Sequence, residues 1–352
     1  MSPRTFLFLS LLTVISVIAA GYAVSREPGF TISRGGELIF PELNAHIDDV
    51  NKIEVRTDKR TMTMTLSTAG WAMTEAGGYL VQPKIIKGAI LGFSDLTYVE
   101  AKTRQSDKYK LLELQNPETP GSKGRGVRLY GKNGDVLVDA VLGRVRYNMP
   151  GTTRDGVYIR KLTDPQTWLA LGQLDIAKDP SGWLIQKIVN IKSARIKSAE
   201  IHHPDGAVVT VSKNEMTDRD FVMAGIPEGK RLKYDSDPEN IATVLEDFEL
   251  DDVKPIADIT FDPANTIRSR IITFDGLIID VNMVERKNVA SDRPQYWVTL
   301  SASTKAKSAE RQAEAKAINA QVSSWVYKIP GYKATRLNKR MEEMLRDREP
   351  AS

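Results

Sequence analysis

Apolar and polar residues alternate along most of this chain, and the alternation predicts short strands. Val50-Asn-Lys-Ile53-Glu-Val55, Met62-Thr-Met64-Thr-Leu66 and Trp71-Ala-Met73 each offer one apolar face, because successive strand side chains point to opposite sides. Turns at Thr57–Arg60 and Ser67–Gly70 join them as antiparallel neighbours. The period then changes. Pro83 stands where a first-turn proline belongs, and Ile86, Ala89, Ile90 and Phe93 recur at helical spacing. Thr97–Ala101 returns to a strand. Val127–Tyr130 and Val136–Val141 flank Asn133-Gly134, a strong hairpin turn. Val157–Arg160 and Trp168-Leu169 follow a loop over Gly143–Asp155, and Asp179–Leu184 closes this half.

The second half replays the first. Ala194–Ile201, Ala207–Val211 and Phe221–Met223 read as the three strands, and Tyr234–Leu250 as the helix. Laid from its proline, that helix matches Pro238 to Pro83, Ile241 to Ile86, Val244 to Ala89, Leu245 to Ile90 and Phe248 to Phe93. Ile271–Phe274 with Asp275-Gly276 echoes Val127–Tyr130, and Tyr296–Leu300 echoes Val157–Arg160. Two amphipathic helices share spacing by default, so the weight rests on the repeated order of elements. The expected fold is therefore α+β, two similar modules of antiparallel sheet plus helix related by internal duplication. The modules span residues 28–188 and 189–352, behind an N-terminal membrane anchor over residues 1–27. A charged helix near 305–324 is inserted in the second module; Ala309, Ala313, Ala317 and Ala320 give it only a thin stripe. It reads either as a solvated bridge or as a close-approach face. Trp325–Pro330 is strand-like and Leu337–Leu345 a short charged helix.

The anchor rests on Phe6–Ala23, an uncharged apolar run preceded by Arg4. With Thr5 it would make a helix of ~28 Å, close to the hydrocarbon thickness of a bilayer. A cleaved secretory signal is the competing reading, since Gly21 and Ala23 offer small residues before Val24. Arg4 and the amino terminus give weak support for a cytoplasmic N-terminus. The expected location is then the bacterial inner membrane, single-pass, with the body in the periplasm.

Composition narrows the chemistry. The 352 residues carry 49 basic and 45 acidic side chains, a net charge of +4, so no concentrated positive field marks a nucleic-acid protein. There is no cysteine, which removes disulfides, thiolate metal sites and cysteine nucleophiles. An exported chain of this kind is stable through its core alone, as suits a Gram-negative periplasm. Three histidines, His46, His202 and His203, fit no metal or triad spacing; the adjacent pair on a strand faces opposite ways. Gly124-Arg-Gly126-Val-Arg128 precedes a strand instead of opening a helix, so it is a loop and not a phosphate cradle. No cofactor, metal or catalytic group is expected. The stronger candidate is a contact surface: Arg144, Arg146, Tyr147, Arg154 and Arg160, with Lys161 and Tyr158, fall in or beside one long connection. Arginine clustered with tyrosine suits partner interfaces or anionic head groups, although a solvated loop paired with nearby acids has the same composition.

The apolar N-terminal run, Leu38-Ile-Phe40-Pro41-Glu-Leu43, the Val50/Ile53/Val55 strand, Trp71 and the Pro83 helix resemble the bacterial domain of unknown function 4340 family. Tyr109–Leu114, Val157–Arg160 and Trp168-Leu169 fit the same pattern; the 305–324 helix has no place in it. The resemblance implies a membrane-anchored protein, often encoded beside gliding-type ABC transporter components. The expected function is an accessory or binding subunit of an ABC-type transport system, not an enzyme. Its partners would be the transporter's membrane subunits, with a lipid, glycan or other envelope ligand open. An envelope scaffold without ligand, and an envelope hydrolase whose site around His46 or His202 assembles only in the fold, are the alternatives.

Overall fold

The alternating segments form the strands expected of them. The computed structural model describes residues 12–18, 34–287 and 293–348. Most of the expected anchor lies outside the described residues. Residues 12–18 form a helix (α1), and among the described residues no helix is long and apolar enough to cross a membrane. The chain divides into two units, residues 1–71 with 83–178, and residues 72–82 with 179–352.

The first unit begins with α2 (Pro41–Ala45), β1 (Val50–Arg56) and β2 (Thr61–Ser67). The chain runs on through β3 (Gly70–Met73) and β4 (Tyr79–Leu80), then α3 (Pro83–Ser94), β5 (Thr97–Ala101) and α4 (Tyr109–Leu112). Four strands follow: β6 (Arg125–Gly131), β7 (Val136–Arg146), β8 (Gly156–Lys161) and β9 (Thr167–Leu171). In the sheet they run β2-β1-β6-β7-β8-β9-β5, with every pairing antiparallel. Ile53, Val55, Met62, Met64, Val127, Leu129, Val138 and Ala140 line its buried face. Burying such side chains, at roughly 1.5–3 kcal/mol each, holds the sheet to its core. α3 buries Ile86, Ala89, Ile90 and Phe93, the stripe expected of it, and Phe93 meets Phe40 edge to face at 5.8 Å.

The other sheet face is crossed by the connection from β5 to β6, which carries α4. Tyr109 and Leu114 pack there on Val141, Tyr158 and Leu169. Gly143 makes room: a Cβ on it would sit 2.0 Å from the Leu112 carbonyl oxygen. β7 also runs to Arg146, so the connection expected from Gly143 is shorter, over residues 147–155.

The second unit contains β10 (Lys187–Val189), β11 (Ile196–His202), β12 (Val208–Ser212), β13 (Val222–Met223) and β14 (Lys230–Leu232). After α5 (Asp237–Ala242) come β15 (Phe248–Glu249), β16 (Asp252–Pro255), β17 (Ile267–Thr273), β18 (Leu277–Arg286) and β19 (Gln295–Thr304). It ends with α6 (Ala309–Val322), β20 (Trp325–Ile329), α7 (Gly331–Leu337), α8 (Met341–Met344) and β21 (Leu345–Asp347). Its main sheet runs β13-β12-β11-β17-β18-β19-β20-β16. Residues 72–82 belong to this unit: the Tyr79 ring stands 5.1 Å from Trp325 and 6.1 Å from Tyr327, and its hydroxyl donates to the Ile185 carbonyl.

From β12 to β16 this order is that of the first sheet from β2 to β5, strand for strand. The registers agree as well. Val50 opposes Gly131 and Ile196 opposes Thr273, each followed at once by a bulge. One row crossing four strands carries the same residues in both sheets. Thr63, Glu54, Arg128 and Asp139 are direct neighbours in the first, and Thr210, Glu200, Arg270 and Asp280 in the second. Opposite charges directly across a ladder stabilise strand pairing. Arg128 and Arg270 each pair with their aspartate, at 3.1 and 2.7 Å, and the partner carboxylate raises both guanidinium pKa values.

Two expected helices differ. Tyr234–Leu250 is α5, a 3-10 turn (Thr243–Leu245) and then β15. Ile241, Val244, Leu245 and Phe248 are all buried, so the apolar spacing survives although the helix ends. Glu246 is already extended at ψ 126, and Asp247, at φ 44, then turns the chain into β15. Leu337–Leu345 is also two pieces, α7 and α8. Asn338 departs from helical geometry, and at Arg340 the chain starts a new helix, the Arg340 backbone N–H donating to the Glu343 carboxylate at 3.3 Å.

The inserted charged helix is α6, and it occupies the β19–β20 connection where β8 and β9 are joined by residues 162–166 alone. It buries only Ala315 and Val322. Polar ties hold it instead. The Asn319 amide donates to the Ala302 carbonyl and accepts from the Ala302 N–H. Arg195 grips Glu314 with two bonds of 2.8 and 3.0 Å.

Candidate partner-binding site

The arginine–tyrosine segment folds as the β7–β8 hairpin. Arg144 and Arg146 are two apart on β7 and fall on one side of the strand. The Arg144 guanidinium lies 5.5 Å from the Tyr158 ring centroid, a cation–π contact. The loop is fastened from within. Met149 is buried among Tyr109, Tyr158 and Leu169, the Asn148 N–H donates to Asp155, and the Gly172 N–H donates to the Asp155 carbonyl. Asn148 takes φ 56, a conformation asparagine tolerates, and Tyr147 beside it is 70% exposed. Arg146 and Arg154 are exposed, with no carboxylate partner among the described residues. A fastened loop thus presents one tyrosine and three arginines, at little further entropic cost on binding.

Arg160 is set apart from them. It is buried, 4.8 Å from the Tyr109 ring, and Nη2 donates to the Leu114 carbonyl at 3.4 Å. Burial lowers its pKa. Strand alternation puts it under the β5–β6 connection, where it fastens that segment to the sheet. Arg125 does similar work, donating to the carbonyls of Ile176 and Gly143. The Gly124-Arg-Gly126 stretch accordingly enters β6 as a packing element.

The histidines are separate. His46 pairs with Asp49 and His202 with Glu200, each at 3.1 Å and exposed. His203 is buried, its Nε2 3.1 Å from the Lys339 carbonyl, so the adjacent pair does face opposite ways. Among the described residues, no three His, Asp or Glu side chains gather as a metal site. The buried Lys333 donates to the carbonyls of Val244 and Glu246, closing the 3-10 turn, and burial lowers its pKa. Sequence reading missed the four-strand charged row. Its signal was recoverable only by matching the halves strand by strand.

No curated protein and no solved structure matches this chain. A profile of a family described as "Domain of unknown function (DUF4340)" matches residues 71–266, more than half of the sequence. The chain belongs to the DUF4340 family.

Proposed function

We propose that this protein is a membrane-anchored periplasmic binding subunit that acts by protein contact, docking on the membrane subunits of an ABC-type transporter. The observation that carries the reading is the β7–β8 hairpin: Tyr147 is exposed on a loop held by Met149 and Asp155, beside Arg144, Arg146 and Arg154. Tyrosine and arginine dominate interface hot spots, and a fastened loop has little freedom to lose. The apolar run Phe6–Ala23 supports the tether, which raises the local concentration of the hairpin near a membrane partner. Two modules descended from one duplicated ancestor account for the shared strand order, bulge position and Thr–Glu–Arg–Asp row.

The test is co-purification after mild detergent extraction, comparing the wild type with Arg144→Ser/Arg146→Ser/Arg154→Ser. Recovery of a transporter permease with the wild type and its loss with the variant is expected. A permease recovered equally with both refutes the hairpin, and repeated recovery of none refutes the transporter reading. Fractionation of a C-terminally tagged chain tests the tether, which soluble periplasmic recovery would overturn.

A further inference from the structure

The buried face of the second sheet ends in a hollow. His203 follows the last residue of β11, and Ile267 opens β17 opposite Met283 of β18. Glu285, two residues on, shares a side of β18 with Met283 and stands opposite Tyr296 of β19. With Asn338 and Arg340 of the α7–α8 connection these residues enclose about 320 Å³. That is at the lower end of the roughly 300–1,000 Å³ of small-ligand pockets. All of them belong to the second unit.

Pro204, Ile267 and Met283 give the hollow apolar surface, and its polar groups are of both kinds. On the accepting side, His203 is 4% exposed. Its Nε2 lies 3.1 Å from the Lys339 carbonyl oxygen, which can only accept. The neutral ring therefore carries its proton on Nε2, and Nδ1 is a lone pair. Nδ1 is buried, and nothing among the described residues bonds to it. Glu285 accepts the Tyr296 hydroxyl; burial first, and then that carboxylate, raise the tyrosine's pKa. The exposed carboxylate keeps lone pairs to spare. On the donating side, Arg340 gives Nη1 to Asp205 and retains further N–H groups, and the Asn338 amide both donates and accepts. Formal charge cancels, Arg286 and Arg340 against Glu285 and Asp205, so the hollow favours neither a cation nor an anion.

We propose that this hollow binds a neutral saccharide. The proposal stands independently of the β7–β8 hairpin, which belongs to the first unit. A buried lone pair calls for an O–H or N–H donor, because an acceptor left unpaired away from water is costly. The arginine and asparagine groups call for acceptors. A hydroxyl supplies both from one atom. A sugar ring sets several hydroxyls around C–H faces, which suit Tyr296, Ile267 and Met283, and it brings no charge that Glu285 or Arg340 would repel.

The chain has three histidines, so nitrogen-15 labelling of histidine lets NMR follow each ring. The probes are glucose, galactose, N-acetylglucosamine and trehalose, titrated into the full-length protein in a detergent without a sugar head group. Without sugar, His203 should show its proton on Nε2 and a free Nδ1. At least one of the four sugars should then move the Nδ1 signal saturably toward that of a hydrogen-bonded nitrogen, leaving His46 and His202 in place. Glu285→Ala and Asn338→Ala should each weaken that binding about tenfold or more, while Arg144→Ser/Arg146→Ser/Arg154→Ser leaves it unchanged. Because Glu285 is exposed, Glu285→Ala should melt at the wild-type temperature, which separates lost binding from lost fold. No saturable shift of His203 with any of the four sugars overturns the proposal, as does a shift indifferent to both alanine variants. So does an equal response to glycerol or to triglycine, which would make the hollow a general polar site.

Discussion

α6 offers the sharpest test of how this fold is held. Its apolar contribution is small: burying Val322 and Ala315 supplies roughly 3 kcal/mol between them, and an isolated helix of this length is marginal in water. The rest of the anchoring is polar: amide bonds of Asn319 to Ala302 and of Gln321 to the Lys187 and Ile188 carbonyls, and a cluster of charges. Arg195 forms a bidentate bond with Glu314 and also meets Asp275 at 2.8 Å, while Arg311 pairs with both acids. Burial alone would raise the Asp275 pKa, but hydrogen bonds from Thr273 and Arg195 and the charges of Arg195 and Arg311 outweigh it and hold it low. An exposed ion pair couples by about 0.2–1 kcal/mol. Here the two side chains are 27% and 26% exposed and the geometry is bidentate, which raises the expected coupling to about 1.5 kcal/mol. The assay is a double-mutant cycle in urea with Arg195→Met, Glu314→Gln and the pair, together with amide exchange along α6. Coupling of about 1.5 kcal/mol with unchanged urea m-values, and faster exchange confined to α6 in each single variant, is expected. Coupling below about 0.3 kcal/mol would refute the reasoning and leave the helix to its Asn319 and Gln321 amide bonds and its few apolar contacts.

Other expectations follow from single positions. Gly143→Ala places a methyl against the Leu112 carbonyl oxygen, a backbone atom with little room to move; it should cost about 3 kcal/mol in urea unfolding. Lys333→Met strips the donor from the Val244 and Glu246 carbonyls and should destabilise by about 1–3 kcal/mol; a neutral result would mean that desolvating the ammonium offsets those bonds. Asp49 has its pKa lowered below 3.8, first by the hydrogen bond from Lys132 and then by that from His46. The folded state therefore binds its proton less readily than the unfolded chain. The advantage of the wild type over Asp49→Asn should be complete above pH 3.8 and vanish as the pH falls through the folded pKa, in melts taken across that range.

Strands were the most legible part of this protein, because period-two alternation survives any tertiary context that buries one face. Ile53, Val55, Met62 and Met64 were all readable as core, and all are buried. Helix ends were less so. Val244, Leu245 and Phe248 keep helical spacing through a 3-10 turn and a strand, so their periodicity could not report that the α-helix ends at Ala242. Arg160 was grouped with Arg144 and Arg146 by nearness in the chain. Only the path of α4 over the sheet separates a buried tie from exposed cations. The Thr–Glu–Arg–Asp row was out of reach for a different reason. It draws one residue from each of four strands, and unequal loops shift the offset between the halves from element to element. No spacing along the chain encodes it, whereas strand register reads it at once.

The central claim is that the β7–β8 hairpin meets a membrane partner. It is tested most directly by placing a photo-crosslinking amino acid at position 147 and irradiating intact cells. Tyr147 is 70% exposed, so the substitution leaves the core untouched. The account predicts a discrete crosslinked adduct with an ABC transporter permease, identified by mass spectrometry and abolished by Arg144→Ser/Arg146→Ser/Arg154→Ser. Absence of any adduct at position 147, with adducts to a permease arising instead from a control position such as Val136 at the other end of β7, would contradict it.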